Sequence, residues 1–332
     1  MRPVVALALM LALVVGTRHT SAYLKFGVSV NGRATTLKWN RRPVGYFVTN
    51  RAVPGVDANQ FSAAMMRAFS TWQSVPTAAI SYELIGFTAA EPGDDDGLST
   101  LGFQAAPELD RVLASTSFLI DTLTGELLES DIFFNSAFAW SVAQAGEAGR
   151  FDLQSIAVHE IGHLSGLGHS MIGETELTAT GGHRVVAAET VMFPIAYGSG
   201  NISTRTLRAD DIAGISDIYP DGGFLEETGS VSGRITKNGQ GIFGAHVVAF
   251  NPATGALTSN FSLDSGGHFS IAGLSPGPHV IRVEPIDDAD IDSFFELDTG
   301  VDVDFRAAYH DRLVVVPRGG DSGSIDVGVR PK

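Results

Sequence analysis

"HEIGHLSGLGHS", residues 159–170, holds three of the chain's nine histidines, spaced by four and then by six. In a helix, residues four apart stand above one another on one face. His159 and His163 therefore present both imidazoles to a single ion. Glu160 is rotated round the axis beside His159, so its carboxylate can approach that ion without ligating it, which is the arithmetic of H-E-x-x-H. The helix must then stop so that the chain can return. Gly166 can take the left-handed conformation that ends helices, Gly168 adds further freedom, and His169 swings back as a third ligand. Three neutral nitrogens leave a tetrahedral Zn2+ one open position, the arrangement of catalytic rather than structural sites. A water activated there could lose its proton to Glu160, which would deliver it to a leaving amine. The chemistry indicated is metal-assisted hydrolysis of an amide.

The elements around this stretch follow from periodicity. Asp152 stands where a helix carrying Leu153, Ile156, Ala157, Ile161 and Leu164 would begin. Upstream, Asp57 can cap a helix with Phe61, Met65, Ala68, Phe69 and Trp72 on one side. Downstream, a third helix is expected over 209–219, with Ile212, Ile215 and Ile218 as its stripe and Asp210 and Asp211 at its positive end. Strands are expected over 43–49, 79–87, 111–120 and 126–134. Strands followed by helices read as an α+β fold. After "PDGGFLEETGS" (220–230) only short strands broken by turns remain, the spacing of a small all-β sandwich.

Composition sets further bounds. The 38 glycines suit turns and β structure rather than a helical bundle. With no cysteine, the chain has neither disulfides nor a thiolate ligand or nucleophile. The net charge of −15 argues against nucleic acid or an anionic membrane as a partner. Arg2, the apolar run Val4–Val15 and Thr20-Ser21-Ala22 read as a signal peptide over residues 1–22, so the mature protein is expected to begin near Tyr23 and to be secreted. No later stretch is long and apolar enough to be a transmembrane segment.

The extended pattern HExxHxxGxxH, with Gly162 inside it and Ser170 after it, resembles the matrixin family of metzincin zinc endopeptidases. The resemblance implies a catalytic domain over residues 23–222, a twisted mixed sheet plus three helices, acting on protein or peptide substrates. It implies a methionine turn beneath the zinc, matched by "ETVMFPIAYG" (189–198), with Met192 and Pro194 supporting the site together with Gly166. It also implies a substrate-binding edge strand, matched by "LASTSF" (113–118) through Leu113, Ala114 and Ser115. Residues 229–317 resemble the carboxypeptidase regulatory-like, or transthyretin-like, β-sandwich, leaving 318–332 as a C-terminal tail.

The departures from the family carry information too. Ser115 stands where many matrixins place a histidine of a structural zinc, so only one zinc is expected. The family's latency cysteine is missing and the segment ahead of the first strand is short, so activation independent of a thiol is expected. The stretch 171–189 is longer than in typical matrixins and would shape the wall of the pocket after the scissile bond; His183 within it reads as a surface histidine, or as a further ligand. Asp94, Asp95, Asp96 and Gly97 either bind Ca2+ through hard oxygen donors or form a solvated turn. "DDADIDSFFELD" (287–298) reads as a charged loop. No catalytic constellation follows Pro220, so the C-terminal part is expected to be accessory. The reading from another class is a non-enzymatic secreted binding protein on a protease-like scaffold. Within the enzyme class the alternative is a metzincin outside the matrixins. Both are weighed against an intact Glu160 and three intact histidines.

Overall fold

The computed structural model describes residues 4–7, 24–30, 33–179, 182–295 and 299–332. Apart from Val4–Leu7, the expected signal peptide lies outside the described residues.

The first unit is built on one mixed sheet. Its strands are β1 (Val44–Thr49), β2 (Tyr82–Thr88), β3 (Thr100–Gln104), β4 (Ala114–Asp121) and β5 (Glu126–Asn135), in spatial order β4-β5-β3-β1-β2. All neighbouring pairs are parallel except β4 with β5, which is antiparallel. On its outer side β4 is bordered by Val4–Leu7, paired to Phe118–Asp121. Among the described residues, no strand covers Ala114–Ser117 on that side.

Helix α1 (Ala58–Gln73) begins where its capping chemistry dictates. The Asp57 carboxylate accepts from the Gln60 amide at 2.8 Å, and the Gln60 side chain accepts from the Asp57 amide at 2.9 Å. Its stripe Phe61, Met65, Ala68, Phe69 and Trp72 is buried against the sheet, with Tyr46 of β1 stacked on Phe69 at 3.9 Å between ring centroids. Each of the large side chains in that stripe contributes roughly 1.5–3 kcal/mol by leaving water. Helix α2 (Leu153–Leu164) lies across α1, and the Trp72 indole N–H donates to the Val158 carbonyl at 2.7 Å, joining the two helices through a group that burial would otherwise strand.

The insertion expected to line the cleft folds as a hairpin, β6 (Gly173–Leu177) and β7 (His183–Ala188). Helix α3 (Ala209–Ile218) follows. Its predicted stripe needs correction: Ile212 is exposed, while Ala213, Ile215 and Ile218 are buried along with Asp210 and Asp211. The reason is that α3 is covered on two sides. Ile215 and Ile218 enter the first core, whereas Ala213 packs against Ala272 beyond it.

The second unit holds β8 (Gly229–Lys237), β9 (His246–Phe250), β10 (Leu257–Phe261), β11 (His268–Leu274), β12 (Gly277–Glu284), β13 (Val314–Val316) and β14 (Asp321–Val329). β8 pairs with β11 and β14 in one sheet. β10, β9 and β12 form the other, with β13 added to the start of β12. Side chains of both sheets share one core that includes Val231, Val247, Ile271, Ile281 and Phe305. Residues 318–332 are therefore not a tail. β14 pairs parallel with β8, and Val327 and Val329 enter the core. Its five exposed residues, two of them glycines, hide that alternation in the sequence.

Candidate active site

Helix α2 is fixed before it presents any ligand. Asp152 at its N-cap accepts from the Ser155 amide at 2.8 Å and pairs with Arg205, whose guanidinium reaches both carboxylate oxygens at 2.5 and 2.8 Å. Gly166 then takes φ +101°, and a Cβ there would lie 2.6 Å from the Leu37 carbonyl oxygen, so only glycine turns the chain at this point. The turned segment is held antiparallel to Leu24–Phe26 by bonds from the Phe26 amide to Gly166 and from the Gly168 amide to Leu24.

The fold brings His159, His163 and His169 together. Nε2 of His163 lies 3.1 Å from Nε2 of His159 and 3.1 Å from Nε2 of His169. Each Nδ1 faces a main-chain carbonyl: Val191 at 2.7 Å, Leu167 at 2.8 Å and Ser293 at 2.6 Å respectively. A carbonyl only accepts, so each Nδ1 carries the proton and each Nε2 offers a lone pair. Burial pushes all three imidazoles below their ordinary range, His169 to about 3, and so keeps them neutral. Three lone pairs facing one another repel unless a cation lies between them. Nitrogens held about 2.05 Å from a tetrahedral Zn2+ would sit about 3.3 Å apart, close to the spacing found. The donor set therefore fits zinc. Among the described residues this is the one group of three or more His, Asp or Glu side chains whose donor atoms converge in this way.

Glu160 is buried on the same helix. Its Oε2 accepts from the Thr116 hydroxyl of β4 at 2.7 Å. Burial raises its pKa to about 7, against the opposing bond from Thr116. Beneath the helix lies Met192. A Cβ on Gly162 would fall 2.3 Å from the Met192 sulfur and 2.9 Å from Trp72 Cζ2, so a glycine is what lets the turn lie this close. Asp211 holds that turn, accepting from the amides of Val191 and Arg208 and from the Thr190 hydroxyl. Pro194 is half-buried two residues beyond Met192. The matrixin family model matches residues 38–220, just over half of the chain.

The chain belongs to the matrixin family. Metalloendoproteinase 1-MMP of Arabidopsis thaliana is 29% identical over 220 residues, covering 60% of this chain and 48% of that protein. Matrix metalloproteinase-16 of Rattus norvegicus is 30% identical over 205 residues, covering 60% and 30%. Metalloendoproteinase 1 of Glycine max is 31% identical over 175 residues, covering 48% and 45%. The matched part thus spans less than half the length of these relatives.

In this matrixin the other anticipated residues fall as follows. Leu113, Ala114 and Ser115 lead into β4 on the same strand as Thr116, and the Leu113 carbonyl accepts from Asn135 on the inner side. His183 sits on β7 and bonds the Thr175 hydroxyl at 2.8 Å, apart from the three convergent histidines. Asp94, Asp95 and Asp96 are exposed; the loop they form is held by amides of Gly93 and Gly97 donating to Asp131 and Glu129. Beyond Pro220, His246 is buried beside Glu284, His279 is buried, and His268 is exposed beside Asp264. Thr116, Asp211 and Ser293 are the site residues that motif reading misses. Thr116 could have been found from strand alternation. Asp211 reads as a helix-end charge, and Ser293 acts through its backbone. The stretch 287–298 is also more than a charged loop, because Phe294 and Phe295 within it are fully buried.

Proposed function

We propose that this matrixin is a secreted, zinc-dependent endopeptidase, with His159, His163 and His169 as zinc ligands and Glu160 as general base. The observation that carries the reading is the convergence of three imidazole lone pairs beside a buried carboxylate and, among the described residues, a strand edge that no other strand covers. Zinc held there supplies a Lewis acid that polarises a carbonyl and acidifies a water.

The chain's own residues supply the rest. The free edge of β4 at Leu113, Ala114 and Ser115 offers backbone groups to an extended peptide, which would pair as an added strand. The hairpin β6–β7 walls the pocket beyond the scissile bond. Glu160, near 7 through burial, can take up the proton of an attacking water and release it to the departing amine at neutral pH. Thr116 fixes one of its oxygens and leaves the other for that water. Residues 1–22 direct export, and the second unit is read as a carboxypeptidase regulatory-like β-sandwich.

Glu160→Gln tests the mechanism. The amide keeps the shape and the Thr116 contact but cannot accept a proton. Zinc content by elemental analysis should match wild type, while peptide hydrolysis should fall by about 10^2- to 10^4-fold. Near-normal turnover would overturn the assignment.

A further inference from the structure

The three histidines are not braced alike. His159 and His163 stand on α2, and their Nδ1 partners, Val191 and Leu167, belong to the same unit. His169 lies past the end of the helix, where no helical geometry orients its ring. Its Nδ1 partner is the carbonyl of Ser293, 124 residues further along, in the segment that follows β12 of the second unit. The partner of a ligand's second nitrogen decides which nitrogen is free and where it points.

That carbonyl is itself rigidly placed. Ile291–Ser293 forms a single 3-10 turn, closed by bonds from the Ser293 amide to Asp290 and from the Phe294 and Phe295 amides to Ile291. Phe294 and Phe295 plug the turn into an apolar cluster drawn from both units: Leu24 and Met171 on one side, Phe243, Phe261 and Ile286 on the other. Phe261 packs on both rings, with centroids 5.4 and 5.1 Å away, and the Phe294 ring stands edge-on to His169 at 6.4 Å. A second tether reaches the cleft hairpin, where the Thr175 amide donates to the Asp288 carboxylate at 2.8 Å and its hydroxyl to the Asp288 carbonyl at 2.9 Å.

We infer that the second unit completes the metal centre: residues 288–295 fix the orientation of His169, so that retention of the ion depends on the docking of that unit. Ser293 is a positioning residue acting through its main chain. The inference rests on the reading that the three histidines hold zinc, and it replaces the expectation of a purely accessory C-terminal part.

The experiment uses the full chain and measures zinc affinity by competition with a chromophoric chelator, together with the visible spectrum of the Co2+-substituted protein. Phe294→Leu loosens the plug, and Asp288→Ala removes a tether. Phe305→Leu perturbs the second core away from the loop and serves as the control. Losing an outer partner of a ligand typically costs 10- to 100-fold in metal affinity. Phe294→Leu should therefore weaken zinc by about 10-fold or more and change the Co2+ spectrum. Phe305→Leu should do neither. Wild-type affinity in folded Phe294→Leu and Asp288→Ala would overturn the inference, as would an equal loss in the control. If Phe294→Leu does not fold, wild-type protein decides the matter. Coupling is reciprocal, so adding zinc to metal-free protein must slow amide hydrogen exchange at Ser293–Phe295. Unchanged exchange there, with zinc bound, overturns the inference. Absence of zinc binding by wild type would instead sink the metal reading itself.

Discussion

At the scale of single residues, the site is crowded where its chemistry demands. Gly162 sits inside α2, where alanine would ordinarily be favoured by about 1 kcal/mol. Contact decides otherwise, because the added Cβ meets the Met192 sulfur and the rigid Trp72 ring well inside van der Waals distance. Gly162→Ala should lower stability by about 1–3 kcal/mol, measured as a shift in denaturant midpoint. A more stable variant would show that the methionine turn yields freely. The ligands were legible because all three fall within eleven residues and a helix fixes their spacing. Asp211 and Ser293 were not. Each arrives from a distant part of the chain, and Ser293 contributes a carbonyl that any residue could offer.

At the scale of elements, α2 depends on its N-terminal end. Asp152 caps the helix and also neutralises Arg205, whose side chain is largely covered. Asp152→Ala removes about 1 kcal/mol of capping and leaves a part-buried guanidinium without its carboxylate. A loss on the order of 2 kcal/mol is expected by chemical denaturation, and Asp152→Asn should recover part of it through the retained cap. Periodicity located α1, α2 and the strands β1, β2, β4 and β5 to within a few residues, but not the central strand β3, whose residues are buried on both faces and so show no alternation. It misassigned the stripe of α3 because a helix covered on two sides buries what a one-sided pattern leaves out. It passed over β10 and β14, whose apolar residues are diluted by serine, asparagine and glycine.

At the scale of the whole molecule, the two units meet through a titratable contact. The buried carboxylate of Asp210 on α3 accepts from the Ser259 amide of β10 at 2.7 Å. Close by, Gly273 of the second unit lacks the Cβ that would press Ala213 at 2.7 Å. Burial raises Asp210 to about 7, with repulsion from Asp211 adding to it and the Ser259 amide opposing. Its folded pKa thus exceeds its unfolded value of about 4. Between these values the folded state binds the extra proton, and its contribution to stability falls as pH rises. The buried histidines act in the opposite sense, since their pKa values are lowered, so the test is a difference. Asp210→Asn has no such titration. Its thermal midpoint relative to wild type should rise between about pH 4 and pH 7 and level off above. A difference independent of pH would mean that Asp210 has the same pKa folded and unfolded. This interface was not legible in the sequence, because it joins residues whose partners lie dozens of positions away and whose types are ordinary for a helix end or a strand.

The parallel pairing of β8 with β14 bears on the order in which the protein assembles. β8 opens the second unit and β14 closes it, so residues 230–237 wait for residues 321–329 before that sheet is whole. Such distant pairing is slow to form, since a long loop must close before any contact rewards it. During synthesis the first unit emerges with α2 and both of its histidines, while the Ser293 carbonyl that faces His169 is still unplaced. A nascent chain would hold a loose site until its final strand has arrived. On the inference that Ser293 steadies His169, competence would be delayed until the second unit is in place.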